Sequence, residues 1–284
     1  IAEVDRIVRQ NYSGTIDETQ LNDALAHSYI EGIGDEYGSY LSAKEYQELQ
    51  ESLAGKRVEV GASFEVEGGS LRVTQVYDDS PAQNAGLQVG DMVVKIDDTD
   101  LTTDNIDQAA ELIQGDAGTT VTLVVRRDNT DEELEMTRRN VEIPTVEARL
   151  IGEKGYIRIT TFNDVTPDQF GKALNEMLNN GATSLIFDVR DNGGGTIDAA
   201  AKVLDTLLPE GPIVSATYKD GTTEVLAESD GGYVYSTPMV VLVNEKTASA
   251  AELFAQALKD YGMARCEGTS AFGKGKIQQL FTLN

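Results

Sequence analysis

The stretch SLIFDVRDNGGGTIDAAAKVLDTLL, residues 184–208, decides the fold class. SLIFDVR is an apolar run of strand length; three consecutive glycines, 193–195, break it, and IDAAAKVLDTLL then repeats its apolar residues at helical spacing. Strand, glycine turn and helix make one unit of an α/β layer, and the alternation continues on both sides. Upstream lie GYIRITTF (155–162) and PDQFGKALNEMLNNG (167–181); downstream come MVVLVN (239–244), ASAAELFAQALKDYG (248–262) and IQQLF (277–281), read as a final strand. Elements in that order predict a largely parallel sheet with helices over residues 144–284.

Between 56 and 143 the pattern changes to short β-rich runs, VEVGASFEV, LRVTQV, MVVKI and TVTLVVRR, separated by turns such as EGGS and LQVGD. One amphipathic helix is expected among them, DNIDQAAELIQG at 104–115, with Ile106, Ala109, Ala110 and Ile113 on one stripe. Residues 1–55 read as helices, with apolar spacing at Val4, Ile7 and Val8, then Leu21, Leu25 and Ile30, around the polar turn GIGDEYGS. The whole is a multi-domain α/β chain with a helical lead-in and a β module. Its joints fall near Gly55 and Pro144.

Composition removes several function classes. With 48 acidic against 23 basic residues among 284, a net charge of −25 repels phosphate backbones and anionic lipid, so nucleic acid is not an expected partner. One cysteine, Cys266, precludes an internal disulfide, and one histidine, His27, leaves no nitrogen and sulfur set for zinc. Neither a metal nor a cofactor is expected. IAEVDRIVRQ lacks the regions of a signal peptide, and no apolar run reaches the length of a membrane span.

In open α/β sheets chemistry gathers outside the carboxyl ends of the strands. Two turns qualify: DNGGGT after SLIFDVR, whose glycines free backbone N–H groups, and EKTASAAE after MVVLVN, which puts Ser249 at the start of the next helix. A serine there is most simply an N-cap, a role Thr247 could also fill. A facing glycine loop changes the weighing, because acyl transfer needs a nucleophile together with preorganised donors for an oxyanion; Gly194 or Gly195, with Ala250, are the candidates. The base cannot easily be His27, which sits in the helical lead-in. A desolvated lysine can replace histidine, and Lys274 in AFGKGKIQQLF has Phe272 for apolar cover and glycines on both sides, with Lys276 the neighbouring alternative. DNGGGT as a nucleotide cradle lacks support, since neither GxxxxGK[ST] nor a GxGxxG after a strand is present.

TASAAELFAQALKDYG followed by AFGKGKIQ resembles the signature of the C-terminal processing, or tail-specific, peptidases, in which a serine of an SASASE-like run pairs with a lysine of an FGKG run. The resemblance extends to DEYGSYLSAKEY, to SPAQNAGLQVGDMVVKIDD, to GYIRITTF, and to DVRDNGGG where the family has DLRxNPGG. It implies a PDZ-like domain over 56–143 and a crotonase-like α/β protease core over 144–284. It also implies a serine endopeptidase with Ser249 as nucleophile, Lys274 as base, Gln278 as third polar partner and Gly194 or Gly195 with Ala250 as oxyanion hole.

By the same resemblance, the PDZ-like module takes substrate proteins or peptides with apolar C-termini. The tail adds as a strand beside Val60, Gly61 and Ala62 and packs its last side chain against Ile106, Ala109, Ala110 and Ile113. An extracytoplasmic location and the possibility of homo-oligomers follow from the family too, and the further strands of relatives imply that 144–284 is a C-terminally incomplete core. The alternative is a noncatalytic PDZ-type scaffold. Gly193 stands for the family's proline, which should loosen the oxyanion loop; Thr247 and Ala251 stand for serines; and Glu59 replaces a glycine near the expected carboxylate-binding stretch.

Overall fold

The computed structural model describes residues 1–232 and 236–283. Its contacts divide the chain into two units, Ile1–Leu49 with Gln278–Asn284, and Gln50–Ile277.

The first unit is helical, as its periodicity predicts: α1 (Ala2–Asn11), α2 (Glu18–Ile33) and the start of α3 (Ala43–Ala54). The Asp17 side chain accepts the Gln20 N–H to start α2, and Gly34, at φ 74°, ends it in a left-handed turn that a side chain would resist. Asp35 then accepts the N–H groups of Tyr37 and Gly38, which shapes the GIGDEYGS turn. None of the three helices has a buried residue, and Val4, Ile7 and Val8 are 65%, 47% and 43% exposed. The stripe therefore marks a helix face and not a core. His27 packs edge-on to Tyr40 and lies 3.5 Å from a Glu45 carboxylate oxygen.

The second unit opens with the β module: β1 (Lys56–Glu59), β2 (Ala62–Glu67), β3 (Ser70–Val76), α4 (Pro81–Asn84), β4 (Met92–Ile96), β5 (Thr99–Asp100), a 3-10 turn (Ile106–Gln108) running into α5 (Ala109–Ile113), β6 (Thr120–Arg127), β7 (Thr130–Thr137) and β8 (Arg139–Glu142). The sheet runs β2-β3-β4-β6-β7, so β2 is an edge strand, while β1 pairs with β8. Val73, Val93, Ile96, Val121, Leu123 and Val125 fill the core at 0% exposure.

Two expectations need correction here. VEVGASFEV is two strands, broken at Gly61, where φ is 83° and a Cβ would lie 2.3 Å from that of Ser80. The 104–115 helix is short, and its opening 3-10 turn shifts the phase, so Ala109 and Ile113 are buried, Ala110 is exposed, and Leu112 packs with Ile106 against the core.

The α/β layer follows: β9 (Val146–Ile151), β10 (Lys154–Ile159), α6 (Thr166–Asn179), β11 (Ser184–Asp188), α7 (Ile197–Asp205), the hairpin of β12 (Gly211–Thr217) and β13 (Thr223–Ser229), β14 (Met239–Val243), α8 (Ala250–Asp260) and β15 (Ala264–Gly268). Its order is β15-β14-β11-β10-β9, parallel apart from β9. Chain order and spatial order coincide from β10 to β15, and right-handed crossovers then put α6, α7 and α8 on one face. Phe162, Phe170, Phe187 and Phe254 interlock beneath them, with ring centroids 5.6–5.7 Å apart.

IQQLF is not a strand; the last one is β15, and Ile277, Leu280 and Phe281 are 48%, 55% and 77% exposed. That run lacks the alternation that would turn one face inward. Because β11 and β14 are parallel neighbours, the loops leaving their carboxyl ends meet.

Candidate active site

The loop leaving β14 is anchored by Thr247, which is fully buried; its hydroxyl donates to Val189 O at 2.8 Å and accepts from Asn244 N at 3.0 Å. Those bonds hold the turn against the end of β11, so Thr247 is not the cap of α8. Ser249 occupies that place, half-buried, with φ 54° and ψ −120°. For a residue with a Cβ this is a strained conformation, of the kind that persists where its surroundings over-determine it.

The glycine loop arrives from β11. Gly194 O accepts from Phe162 N (2.8 Å) and from the Thr161 hydroxyl (3.1 Å), and Thr196 N donates to Phe162 O (2.8 Å). A Cβ on Gly195 would sit 1.9 Å from Phe162 O, and one on Gly194 would sit 2.9 Å from the Ser249 Cβ and 3.0 Å from Ala250 N. Both positions require glycine, and the loop lies directly beside the serine. These bonds tie the loop down at Gly194 and Thr196, on the carboxyl side of Gly193.

The candidate donors are not equivalent. Gly194 N already donates to the Asn192 side chain at 2.8 Å, whereas among the described residues the Gly195 and Ala250 N–H groups donate to no protein group. The Gly194–Gly195 peptide is trans, so with its carbonyl held toward Phe162 its N–H points the other way.

The lysine segment is joined to the serine turn through one carboxylate. Glu252 accepts from Ser249 N (2.8 Å), Gly273 N (2.7 Å) and Lys274 N (3.0 Å), and Phe272 N donates to Thr247 O at 3.0 Å. Gly275 N returns to Gly273 O at 3.0 Å, folding a tight turn around Lys274. Lys274 is half-buried, but Phe272 is 55% exposed and does not supply the expected apolar cover; Lys276 is exposed. Gln278 belongs to the first unit, where its amide donates to Tyr37 O at 2.6 Å.

Beneath the glycine loop, β11 ends at Asp188, whose carboxylate is 1% exposed. Burial pushes its pKa up, but hydrogen bonds from Arg190 and from the Tyr156 hydroxyl (both 2.6 Å at the shortest) outweigh that and hold it below the usual carboxylate range. The same burial and the charged partner push the Tyr156 phenol up.

In the β module, Val60 and Ala62 are buried at 1% and 8%, the Val60 carbonyl accepts from Ala82 N, and the Gly61 carbonyl accepts from Tyr77 N. Among the described residues the outer edge of β2 carries no partner strand in the sheet. Glu59 has a buried oxygen, Oε1, with no hydrogen-bond partner; burial raises its pKa, against the pull of Arg57. Among the described residues no group of three or more His, Cys, Asp or Glu is placed to hold a metal, and no helix is long and apolar enough to cross a membrane.

Glu252 and Asn192 did not emerge as functional residues from the sequence. Glu252 had a signal, since SAAE at 249–252 is the S-x-x-E pattern of a helix start. Asn192 had one as well, since it stands at the N of the DLRxNPGG pattern that DVRDNGGG resembles.

This geometry sets a strained serine at a strand-to-helix turn against a glycine loop, and comparison with known proteins supplies the class. Residues 153–284 match the model of Peptidase family S41, and residues 72–127 that of the PDZ domain. A protein of Staphylococcus epidermidis named "Probable CtpA-like serine protease" is 31% identical over 267 residues, covering 92% of this chain and 54% of its own length. Its counterpart in Staphylococcus aureus is 29% identical over 280 residues, covering 98% and 56%. The chain thus spans about half the length of these curated relatives. Among solved structures, the photosystem II D1 C-terminal processing protease superposes with a TM-score of 0.52 at 28% identity, covering 96% of this chain and 76% of that one. The chain belongs to peptidase family S41, serine-type peptidases of the C-terminal processing kind, and carries a PDZ domain.

Proposed function

We propose that the chain is the working part of a serine endopeptidase that hydrolyses peptide bonds with Ser249 as nucleophile and Lys274 as general base. The observation that carries this is the Glu252 carboxylate, which holds the backbones of Ser249 and Lys274 in one hydrogen-bonded cluster although 25 residues separate them in sequence.

In the proposed reaction the Ser249 Oγ attacks the scissile carbonyl carbon while its proton passes to the neutral Lys274 amine. The tetrahedral oxyanion is met by the Gly195 and Ala250 N–H groups. Collapse expels the amine, which takes the proton from Lys274, and water repeats the sequence to release the acid. Gln278 is the third polar partner that the family resemblance implies.

The substrate enters as a polypeptide whose apolar C-terminal tail adds to the free edge of β2, with Val60, Gly61 and Ala62 at one end and the segment carrying Ile106, Ala109, Ala110 and Ile113 as the helix side, where Ala110 is the exposed member and Ala109 and Ile113 face the core. This reading divides the chain at 1–55, 56–143 and 144–284, puts its work outside the cytoplasm, and allows homo-oligomers. Ser249→Ala tests it. Turnover of an unstructured protein with an apolar C-terminus should fall by about 10⁵–10⁶-fold with thermal unfolding unchanged; retained turnover sinks the mechanism.

A further inference from the structure

Asn192 is fully buried, and three segments of the site meet on it. Its Nδ2 donates to Ile159 O at the end of β10 (2.9 Å), its Oδ1 accepts from Gly194 N (2.8 Å), and its backbone carbonyl accepts from Ala248 N (3.0 Å), one residue before Ser249. A buried asparagine with its amide used at both ends has its rotamer fixed and its flip state determined: exchanging O and N would set a donor against Gly194 N–H and an acceptor against Ile159 O.

The bond to Gly194 has a chemical consequence. An N–H that already donates within the protein cannot stabilise an oxyanion without first giving up that bond, and leaving Asn192 Oδ1 buried and unpaired is costly. The bond therefore removes Gly194 N from the set of usable donors. It also fixes the plane of the Gly193–Gly194 peptide. With Gly194 O pinned to Phe162 N and Thr161, the next peptide is fixed as well, and its N–H, that of Gly195, is turned away from Phe162. The same residue, through Ala248, sets the height of the serine turn opposite.

We propose that Asn192 is the positioning residue of the oxyanion hole: by occupying Gly194 N–H and tying the glycine loop to both β10 and the serine turn, it selects Gly195 and Ala250 as the donor pair. The inference rests on the Ser249 reading above. Asn192 does not touch substrate and acts through the peptides it holds. Its loss should therefore weaken transition-state stabilisation and leave ground-state binding of the peptide largely alone.

The test uses Asn192→Asp, which keeps the shape and the acceptor for Gly194 N but faces Ile159 O with an oxygen, and Asn192→Ala, which removes both bonds. Kinetics on an unstructured substrate with an apolar C-terminus are read alongside thermal unfolding and the affinity of a peptide boronic acid, which forms a tetrahedral adduct on serine. The expected result is a fall in kcat of about 10²–10³-fold for Asn192→Ala, the size seen when one oxyanion donor is lost. KM should move less than about threefold, and boronate affinity should fall in parallel with kcat. Asn192→Asp, folded and of native volume, should show the same split at smaller size.

Three results overturn the proposal. The first is wild-type kcat in folded Asn192→Ala. The second is a rise in KM at constant kcat. The third, which covers an alanine variant that fails to fold, is an Asn192→Asp protein with unchanged kcat and boronate affinity. Absence of turnover and of boronate binding in the wild-type chain overturns the Ser249 reading and this one together, whereas wild-type turnover with insensitive variants overturns this one alone.

Discussion

The two segments that bring the candidate nucleophile and base together are held in different ways. The serine turn is built into the sheet: Thr247 is buried, Ala250 is 2% exposed, and the strained backbone of Ser249 is flanked by residues that cannot move without opening the core. The lysine segment, by contrast, has exposed neighbours in Phe272, Gly273 and Gly275 and is attached to the serine turn by backbone N–H groups, two of them on Glu252. Packing fixes the first; a few hydrogen bonds fix the second. Substitutions of the buried supports of the serine turn should thus register in stability, and those on the lysine side in rate.

After Ser249→Ala, the largest effect is expected at the proposed base. Lys274→Arg should match Lys274→Ala, with kcat down by about 10⁴-fold or more and unchanged unfolding, because a guanidinium keeps its proton at any usable pH. His27→Ala should remain near wild type. An active arginine variant would place the base elsewhere.

Glu252→Gln comes next. The amide retains one acceptor oxygen for the three N–H groups that now share two, so the lysine segment should slip relative to Ser249 and kcat fall by about 10–100-fold. Thermal unfolding should move little, since Gly273 is exposed. A large loss of stability at constant kcat would reverse the proposed division of roles.

Thr247→Val tests the other side. It removes a buried hydroxyl that serves Val189 O and Asn244 N, and it should cost about 1–3 kcal/mol in denaturant unfolding. The folded fraction should keep a kcat within a few-fold of wild type.

The smallest effect concerns pH. The Asp188 carboxyl titrates below its ordinary range in the folded chain, so its contribution is fully present above the unfolded pKa of about 3.9 and disappears as pH falls through the lower folded value. Asp188→Asn should flatten the acid limb of the stability curve in that window and leave its slope near neutrality alone. An unchanged acid limb would show that Arg190 and Tyr156 do not favour the ionised form.

Much of this was legible in the sequence, and the exceptions have physical causes. Periodicity located β10, β11, β14 and their helices because each buries one face or both. It missed β7, whose TDEELEMT buries only Met136, and the β12–β13 hairpin, which packs few residues inward. It also credited IQQLF with a strand that has no partner among the described residues. In the site, Ser249 and the glycines could be found from strand order alone, since ligands collect where parallel strands end. The choice between Gly194 and Gly195 could not, because it turns on which way one asparagine amide faces. Glu252 was written as S-x-x-E, a pattern common at helix starts, and nothing local announces that its second oxygen reaches a residue 21 positions on.

The coincidence of spatial and chain order in the sheet also bears on how the molecule is made. Strands β10, β11, β14 and β15 each add beside one already synthesised, so a growing chain extends its sheet from β9 outward without waiting for a distant segment. On the ribosome, the turn carrying Ser249 has its supports before residues 273 and 274 exist. Glu252 at that stage lacks two of its three donors, and Lys274 has not been made. Biosynthesis thus separates Ser249 from Lys274 in time: the serine turn can be in place on its sheet before the proposed base is added to the chain.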